Sequence, residues 1–370
     1  MASPIIEINL DRLVQNALLI KERAKDSEVL AVVKADAYGH GASTVTKVLE
    51  GAGIRYFGVF SIDEALELRK NGIKAKILIF ERLTKRAIQL AIEHSIIVNI
   101  SWFGDLDLLK NAKKNKIKLP QFHLKLDTGM SRLGIPYMEA VSFVKELKAH
   151  TGIQPEGIYS HLSTSDEGDR SFAYKQKDRF DHVLKELKSI LSPKWIHISN
   201  SGGLVNMPDS LYNMVRIGML FYGAKPSSEI IHPIPVEPVM NFKGEIVLVR
   251  KVLSGTPISY GALYRPSIDS YIAVVQVGFA DGIPRSWYKN GFIVSKGKRY
   301  KIAGRICMDQ FMVDFGKIKP REGDRVLIWG KDDKNELPIE MISKDIGLSP
   351  YVIFTGLGGK RIKREFLNEK

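Results

Sequence analysis

Cysteine is nearly absent from this sequence: Cys307 is the only one in 370 residues. An internal disulfide is therefore excluded, and a reducing compartment is compatible with the chain. No apolar run is long enough to span a bilayer, and the opening Met1-Ala2-Ser3-Pro4 has no basic region followed by an apolar stretch. The expectation is a soluble, cytoplasmic protein with no membrane partner. Histidine is missing after His232, so Cys307 is the only soft ligand beyond that point and a His/Cys zinc pair is excluded there. Internal repeats and low-complexity tracts are missing too. Charge is the one excess, at a formal +14. The basic residues are spread among acidic neighbours, as in Lys185-Glu186-Leu187-Lys188, rather than gathered in an arm with interleaved aromatics. That distribution speaks against a nucleic-acid partner and for a solvated basic surface on a protein that handles anions.

With 44% hydrophobic residues, the chain can bury one large core and a smaller second one. Apolar, β-branched runs end near Val33, Phe60, Phe80, Ile100, Asp127, His161, Ser199 and Ile217. Between most of them lie stretches of helical period: Ile62 to Lys70, Ala87 to Glu93, Met138 to His150 and Asp169 to Ile190. Strand and helix alternating eight times predict a TIM-type (β/α)8 barrel of the α/β class, preceded by a helix around Leu13 to Arg23. The short last crossover leaves an open, doubly wound sheet as the alternative. After about residue 235 short alternating strands replace the helices, as in Gly244 to Val249, Tyr271 to Val275, Phe311 to Phe315 and Arg325 to Ile328. Two domains are expected, a barrel over 1–235 and a mainly β domain over 236–370, with the first residues placed to pair with the second domain. The proline-spaced segment His232 to Pro238 reads as an extended, stiff linker.

Active-site residues of a barrel come from the C-terminal ends of its strands and the loops after them. Lys34 closes the run Val29-Leu30-Ala31-Val32-Val33, where a partly desolvated amine is a candidate for Schiff-base chemistry. Position alone does not separate this from an ordinary lysine snorkelling out of a strand end. Arg132 follows strand five, His161 ends strand six, Asn200-Ser201-Gly202-Gly203 follows strand seven and Arg216 lies near the end of strand eight. Each has a bland reading: a loop arginine, a satisfied core histidine, a helix cap for Ser201. Their agreement on one face points to a shared site.

The string Lys34-Ala35-Asp36-Ala37-Tyr38-Gly39-His40-Gly41 closely resembles the cofactor-lysine motif of alanine racemases, the fold-type III pyridoxal-phosphate enzymes. The resemblance continues in order through His123 to Gly134, Ile158 to Leu162, Asn200-Ser201, Arg216-Ile217-Gly218, Ser259-Tyr260-Gly261-Ala262, Ala280-Asp281-Gly282 and Gly304 to Gln310, and covers nearly the whole chain. It implies that Lys34 holds pyridoxal 5'-phosphate (PLP) as a Schiff base. Tyr38, Ser201, Gly218 with Met219, and Tyr351 match the family's phosphate-binding positions. Arg216 matches the residue facing the pyridine nitrogen, with His161 beside it. Arg132 resembles the residue near the phenolic oxygen and the substrate carboxylate. Lys125 matches a lysine often carbamylated in the family, for which an ordinary pair with Asp127 is the alternative.

The same resemblance implies a two-base racemisation with Lys34 on one face of the α-carbon and Tyr260 on the other. A phenol of pKa ~10 needs cationic or hydrogen-bonding neighbours to act at neutral pH, and His161 is the residue implied to supply that coupling. Family members are homodimers in which the β domain of one subunit caps the barrel of the other. Tyr260, Met308 and Asp309 would then belong to the partner's site, with the Met308 backbone N–H on the substrate carboxylate. Phe279 stands where the family often has Tyr, and Ser131 where it often has Gly. Phe354 and Lys363 alter the usual C-terminal string. The implied activity is the interconversion of L- and D-alanine, supplying D-alanine for peptidoglycan. A broader small-amino-acid (serine) racemase and a fold-type III amino-acid decarboxylase, the latter through Cys307, are the alternatives.

Overall fold

The computed structural model of the protein describes residues 3–332 and 334–368; Met1 and Ala2 of the opening tetrapeptide lie outside them. Eight parallel strands, Glu28–Val32, Tyr56–Val59, Lys76–Ile79, Ile96–Ile100, Phe122–Asp127, Gly157–Tyr159, Trp195–His197 and Met214–Ile217, succeed one another around a single sheet. Nearly every residue in them is buried, because helices cover the outside and side chains fill the inside. The last strand pairs back onto the first with Met214 opposite Glu28, and Arg216 N–H donates to Ser199 O across the remaining seam at 3.0 Å. Closure excludes the open-sheet alternative.

Helices form where the 3.6-residue period is strongest, and local caps set their ends. Ile62–Lys70 starts at Ser61, whose hydroxyl accepts from Glu64 N–H while the Glu64 carboxylate accepts from Ser61 N–H. It matches the expected span. The expected 138–150 helix opens as a 3-10 turn and is α-helical only over Ala140–Thr151, and that of 169–190 runs Ser171–Leu187. The leading helix is longer than expected, Leu10–Ala24, because Asn9 caps it ahead of the point where the apolar pattern begins.

The second domain is a sheet built on the long strand Met240–Val252, which pairs with Ser270–Val275 on one side and Arg325–Lys331 on the other. Ile5–Asn9 lies antiparallel beside Met240–Val252, with Ile6 opposite Phe242, and parallel to Lys363–Leu367, with Ile6 opposite Arg364. Strands do not fill the domain entirely. Two short helices, Ile339–Ile346 and Pro350–Thr355, were not expected from its alternating pattern. Among the described residues no helix is long and apolar enough to cross a membrane.

Candidate active site

A cavity of about 440 Å³ opens at the C-terminal ends of the barrel strands. Lys34, Tyr38, Lys125, Arg132, His161, Ser201, Arg216, Gly218 and Tyr351 line it together, with Phe60 and Phe80. Four of these side chains are basic and none is acidic. The barrel supplies all but Tyr351, which arrives on the unexpected helix Pro350–Thr355. Met219, fully buried and next in sequence to Gly218, is not among the lining residues.

Lys34 sits two residues past the last strand residue, Val32, rather than on the strand end itself. The turn after it has no signal in the sequence. Ala35, Asp36, Ala37 and Tyr38 all adopt φ of 53–54° and ψ of 41–52°, a full left-handed turn without a glycine. For L-residues this conformation costs roughly 1–2 kcal/mol each. Its backbone is held from several sides: Ala35 N–H donates to Glu64 Oε1 at 2.7 Å, Ala37 N–H to Val33 O at 2.9 Å, and Gly41 N–H to Asp36 O at 2.9 Å. His40, fully buried against Tyr222 at 4.4 Å, places Nδ1 near the carbonyls of Ala37 and Tyr38, so this nitrogen carries the proton. Burial holds His40 neutral, pulled down to about 3. The turn aims Lys34 into the cavity. Burial, then the nearby Arg132, lowers its pKa from the ordinary lysine value, with Glu64 opposing.

The next hydroxyls and amides form one end of the cavity. Tyr38 packs between Tyr222 at 5.1 Å and Tyr351 at 5.5 Å between ring centroids. A Cβ on Gly218 would lie 2.8 Å from the Tyr38 hydroxyl, so this glycine is needed for close approach. Gly218 N–H lies 3.3 Å from Ser201 Oγ. Burial raises both tyrosines, Tyr351 to about 12 with Asp166 contributing, so they remain hydroxyl donors.

Arg216 is 4% exposed and, among the described residues, touches no carboxylate. Its guanidinium donates to His197 Nδ1 at 2.9 Å, His161 Nδ1 at 3.1 Å, and the carbonyls of Ser160 and Ile198 at 2.7 and 3.1 Å. Because a guanidinium only donates, both histidines must accept through Nδ1 and carry their proton on Nε2. His197 Nε2 then donates to His123 Nδ1 at 2.9 Å. Burial first, then Arg216, keeps all three imidazoles neutral. Arg216 itself is brought down to about 10 by burial and stays charged at neutral pH.

This histidine relay is a further part of the site that sequence reasoning missed. A signal exists: His123, Lys125 and Asp127 alternate along one strand, and register places Lys125 beside Tyr159 and Tyr159 beside His197. The Tyr159 ring stacks on His197 at 4.9 Å, under the cations of Arg216 and Lys125 at 5.1 and 5.7 Å. Gly157 makes room, since a Cβ there would meet the His123 ring at 2.7 Å.

Among the described residues no carboxylate lies within ion-pairing distance of Lys125. The expected alternative pair with Asp127 does not form, because Asp127 Oδ1 accepts instead from Gly129 and Ser131 N–H at 2.9 and 3.1 Å. Those two bonds fold the loop that presents Arg132 and hold Ser131 at φ 56°, a conformation in which glycine is cheaper. Lys125 is driven down to about 7 by burial, then by Arg132 and Arg216.

Tyr260 and Met308 do not line this cavity. Both are exposed, 66% and 57%, on one face of the second domain with the half-exposed Phe279. Their loops are joined: Ser259 Oγ donates to Arg305 O at 2.7 Å, Phe279 N–H to Cys307 O and Ala280 N–H to Met308 O, both at 3.0 Å. Arg361 clamps the same loops by gripping buried Asp281 at 2.7 and 2.6 Å and Asp309 at 3.1 Å. Cys307 turns its sulfur toward Arg305 O at 3.7 Å and Ser259 Oγ at 3.8 Å.

Comparison with known proteins agrees at every level. Residues 8–226 match the family model "Alanine racemase, N-terminal domain" and residues 239–366 the model "Alanine racemase, C-terminal domain". Alanine racemase 2 of Caldanaerobacter subterraneus subsp. tengcongensis is 36% identical over 369 residues, covering 98% of this chain and 94% of its own. The alanine racemase of Clostridium tetani is 34% identical over 368 residues, covering 98% and 95%. The solved structure of the alanine racemase from D-cycloserine-producing Streptomyces lavendulae superposes with a TM-score of 0.94 at 32% identity, covering 100% of this chain and 98% of that one. With a closed barrel, a mainly β second domain and full-length likeness in both, the chain belongs to the alanine racemase family.

Proposed function

We propose that this protein is a PLP-dependent alanine racemase, acting in the cytoplasm as a homodimer with shared sites and supplying D-alanine for peptidoglycan. The observation that carries the reading is a cavity lined by four basic side chains, Lys34, Lys125, Arg132 and Arg216, and by no acidic one among the described residues. Such a site suits a ligand pair carrying a phosphate and a carboxylate.

The residues present fit the cofactor. Hydroxyls of Tyr38, Ser201 and Tyr351 and the N–H groups of Gly218 and Met219 would hold the phosphate, and the space left by the missing Gly218 side chain allows the approach. Lys34 would hold the aldehyde carbon. When bound, PLP supplies a ring that withdraws electrons from the α-carbon of an attached amino acid and so acidifies its hydrogen. Arg216, donating only, keeps a ring nitrogen placed against it unprotonated, which tempers that withdrawal and disfavours transamination. The relay through His197 and His123, with His161 alongside, fixes the guanidinium in this role.

Arg132 binds the substrate carboxylate by its planar fork, helped by the backbone N–H of the partner subunit's Met308. Lys34, once free, takes or returns the α-proton at Nζ; its lowered pKa keeps more of it neutral. The partner subunit's Tyr260 handles the opposite face through its phenolic oxygen, and the exposure of Tyr260 and Met308 in a single chain supports this placement. Lys125, with no carboxylate in ion-pairing distance among the described residues and brought down to about 7, has a substantial neutral fraction at neutral pH and is suited to carbamylation, which would give Arg132 an anionic partner.

The test is a chiral assay of the purified protein with added PLP against L-alanine, L-serine and other small L-amino acids. Fastest conversion of L-alanine to the D form, and the reverse, is expected. Faster turnover of L-serine would move the assignment to a broader racemase, and release of carbon dioxide without the D-isomer would overturn it.

A further inference from the structure

The strained turn after Lys34 is braced by the end of the chain. Arg364, on the last strand Lys363–Leu367, sets Nη1 3.0 Å from Asp36 Oδ2 and donates through Nη2 to Gly39 O at 2.9 Å. Asp36 also accepts from Ala42 N–H at 2.7 Å through its other oxygen, so one carboxylate joins the turn, the helix beyond it and Arg364. Phe354 O would meet a Cβ on Gly39 at 2.6 Å, and the Phe366 ring one on Gly41 at 2.8 Å. The second domain of the same subunit thus grips the turn from two places. We propose that Arg364, through Asp36 and Gly39, is a positioning residue for Lys34.

Four consecutive residues in left-handed conformation do not persist unless their surroundings over-determine them. Arg364 holds a carboxylate and a carbonyl of the turn at once, which a planar fork does better than an ammonium. Released, the turn relaxes and Lys34 moves toward water, away from the cation that suppresses its charging. The charged and titratable groups that bear on Lys34 are Arg132, Lys125, His161 and Glu64. Arg364 acts on it through position rather than through its own field.

The inference rests on Lys34 being the cofactor amine, but its test needs neither cofactor nor turnover, so its failure leaves that reading standing. Full-length protein freed of any PLP is labelled with a trace amine-acylating reagent across pH 6–11, and the midpoint for Lys34 is read by peptide mass spectrometry against the other lysines. Arg364→Met and Asp36→Asn change the local charge in opposite directions. A field effect would move the Lys34 midpoint oppositely in the two; loss of positioning moves it upward in both, by about one pH unit, equivalent to a tenfold change in proton affinity. Asp36→Asn keeps an acceptor for Ala42 N–H and tolerates the left-handed region, so the fold persists. Arg364→Lys is expected to fall between wild type and Arg364→Met. Unchanged Lys34 midpoints in both Arg364→Met and Asp36→Asn, or shifts of opposite sign, overturn the proposal, whatever happens to the melting temperature.

Discussion

Gly218→Ala is expected to weaken PLP binding specifically through Tyr38. The new Cβ would lie 2.8 Å from the Tyr38 hydroxyl and 3.2 Å from Cζ. Tyr38 is 7% exposed and wedged between Tyr222 and Tyr351, so the ring has little room to withdraw. Overpacking of this kind costs about 1–3 kcal/mol, which, taken up at the end of the cavity proposed to hold the phosphate, is roughly a 5- to 150-fold loss of affinity. Tyr38→Phe alone removes a hydroxyl from a charged acceptor, worth about 1.5–3 kcal/mol. In the double variant the clash loses its closest atom, so the two changes should not add: Gly218→Ala/Tyr38→Phe should bind PLP about as tightly as Tyr38→Phe alone. Equilibrium dialysis with PLP, run on all four proteins, measures the cycle. Strict additivity, or wild-type affinity in Gly218→Ala, would refute the claim that Gly218 exists to admit the Tyr38 hydroxyl.

The same geometry sets further outcomes. Borohydride reduction of the PLP-loaded protein should leave the pyridoxyl group on Lys34, and reproducible label on another lysine would contradict the assignment. Gly157→Ala should destabilise the fold by about 1–3 kcal/mol, read as a lower melting temperature, because its Cβ would strike the fully buried His123 at 2.7 Å. Lys125, lowered to about 7 in the fold, is protonated more readily in the unfolded chain between there and the ordinary lysine pKa. Wild-type stability relative to Lys125→Met should therefore rise with pH from about 7 to about 10.4 in carbonate-free buffer; a difference in melting temperature that stays flat over that window contradicts the burial argument. Tyr260→Phe should retain PLP absorbance while nearly abolishing racemisation in both directions.

The residues at strand ends were readable because a parallel barrel imposes simple rules: apolar runs mark its strands, and polar residues just beyond them face one mouth. That logic brought Lys34, Arg132, His161, Ser201 and Arg216 to one cavity. It could not find the left-handed turn, since Ala35 to Tyr38 contain no glycine; tertiary contacts from Glu64 and Arg364, with the nearby His40 ring on the carbonyls of Ala37 and Tyr38, impose it. His123 and His197 were hidden for a different reason. His197 looks like an isolated polar residue in an apolar strand, His123 alternates with Lys125 and Asp127 without pointing to a partner, and only cross-strand register and the donors of Arg216 make the two a relay. The helix carrying Tyr351 was missed because six residues, Pro350–Thr355, are too few to reveal a period.

The proposed catalysis by Lys34 of one subunit with Tyr260 of another is tested most directly by co-expression of Lys34→Ala and Tyr260→Phe chains, because each variant is expected to be inactive as a homodimer. In a mixed dimer one site carries both defects, while the other pairs an intact Lys34 with an intact Tyr260. Random assortment into two-fold dimers should restore about a quarter of all sites, so racemisation of L-alanine should return to about a quarter of the wild-type rate per site. Verified mixed dimers that stay inactive would place Tyr260 outside the neighbouring site and contradict the shared-site account.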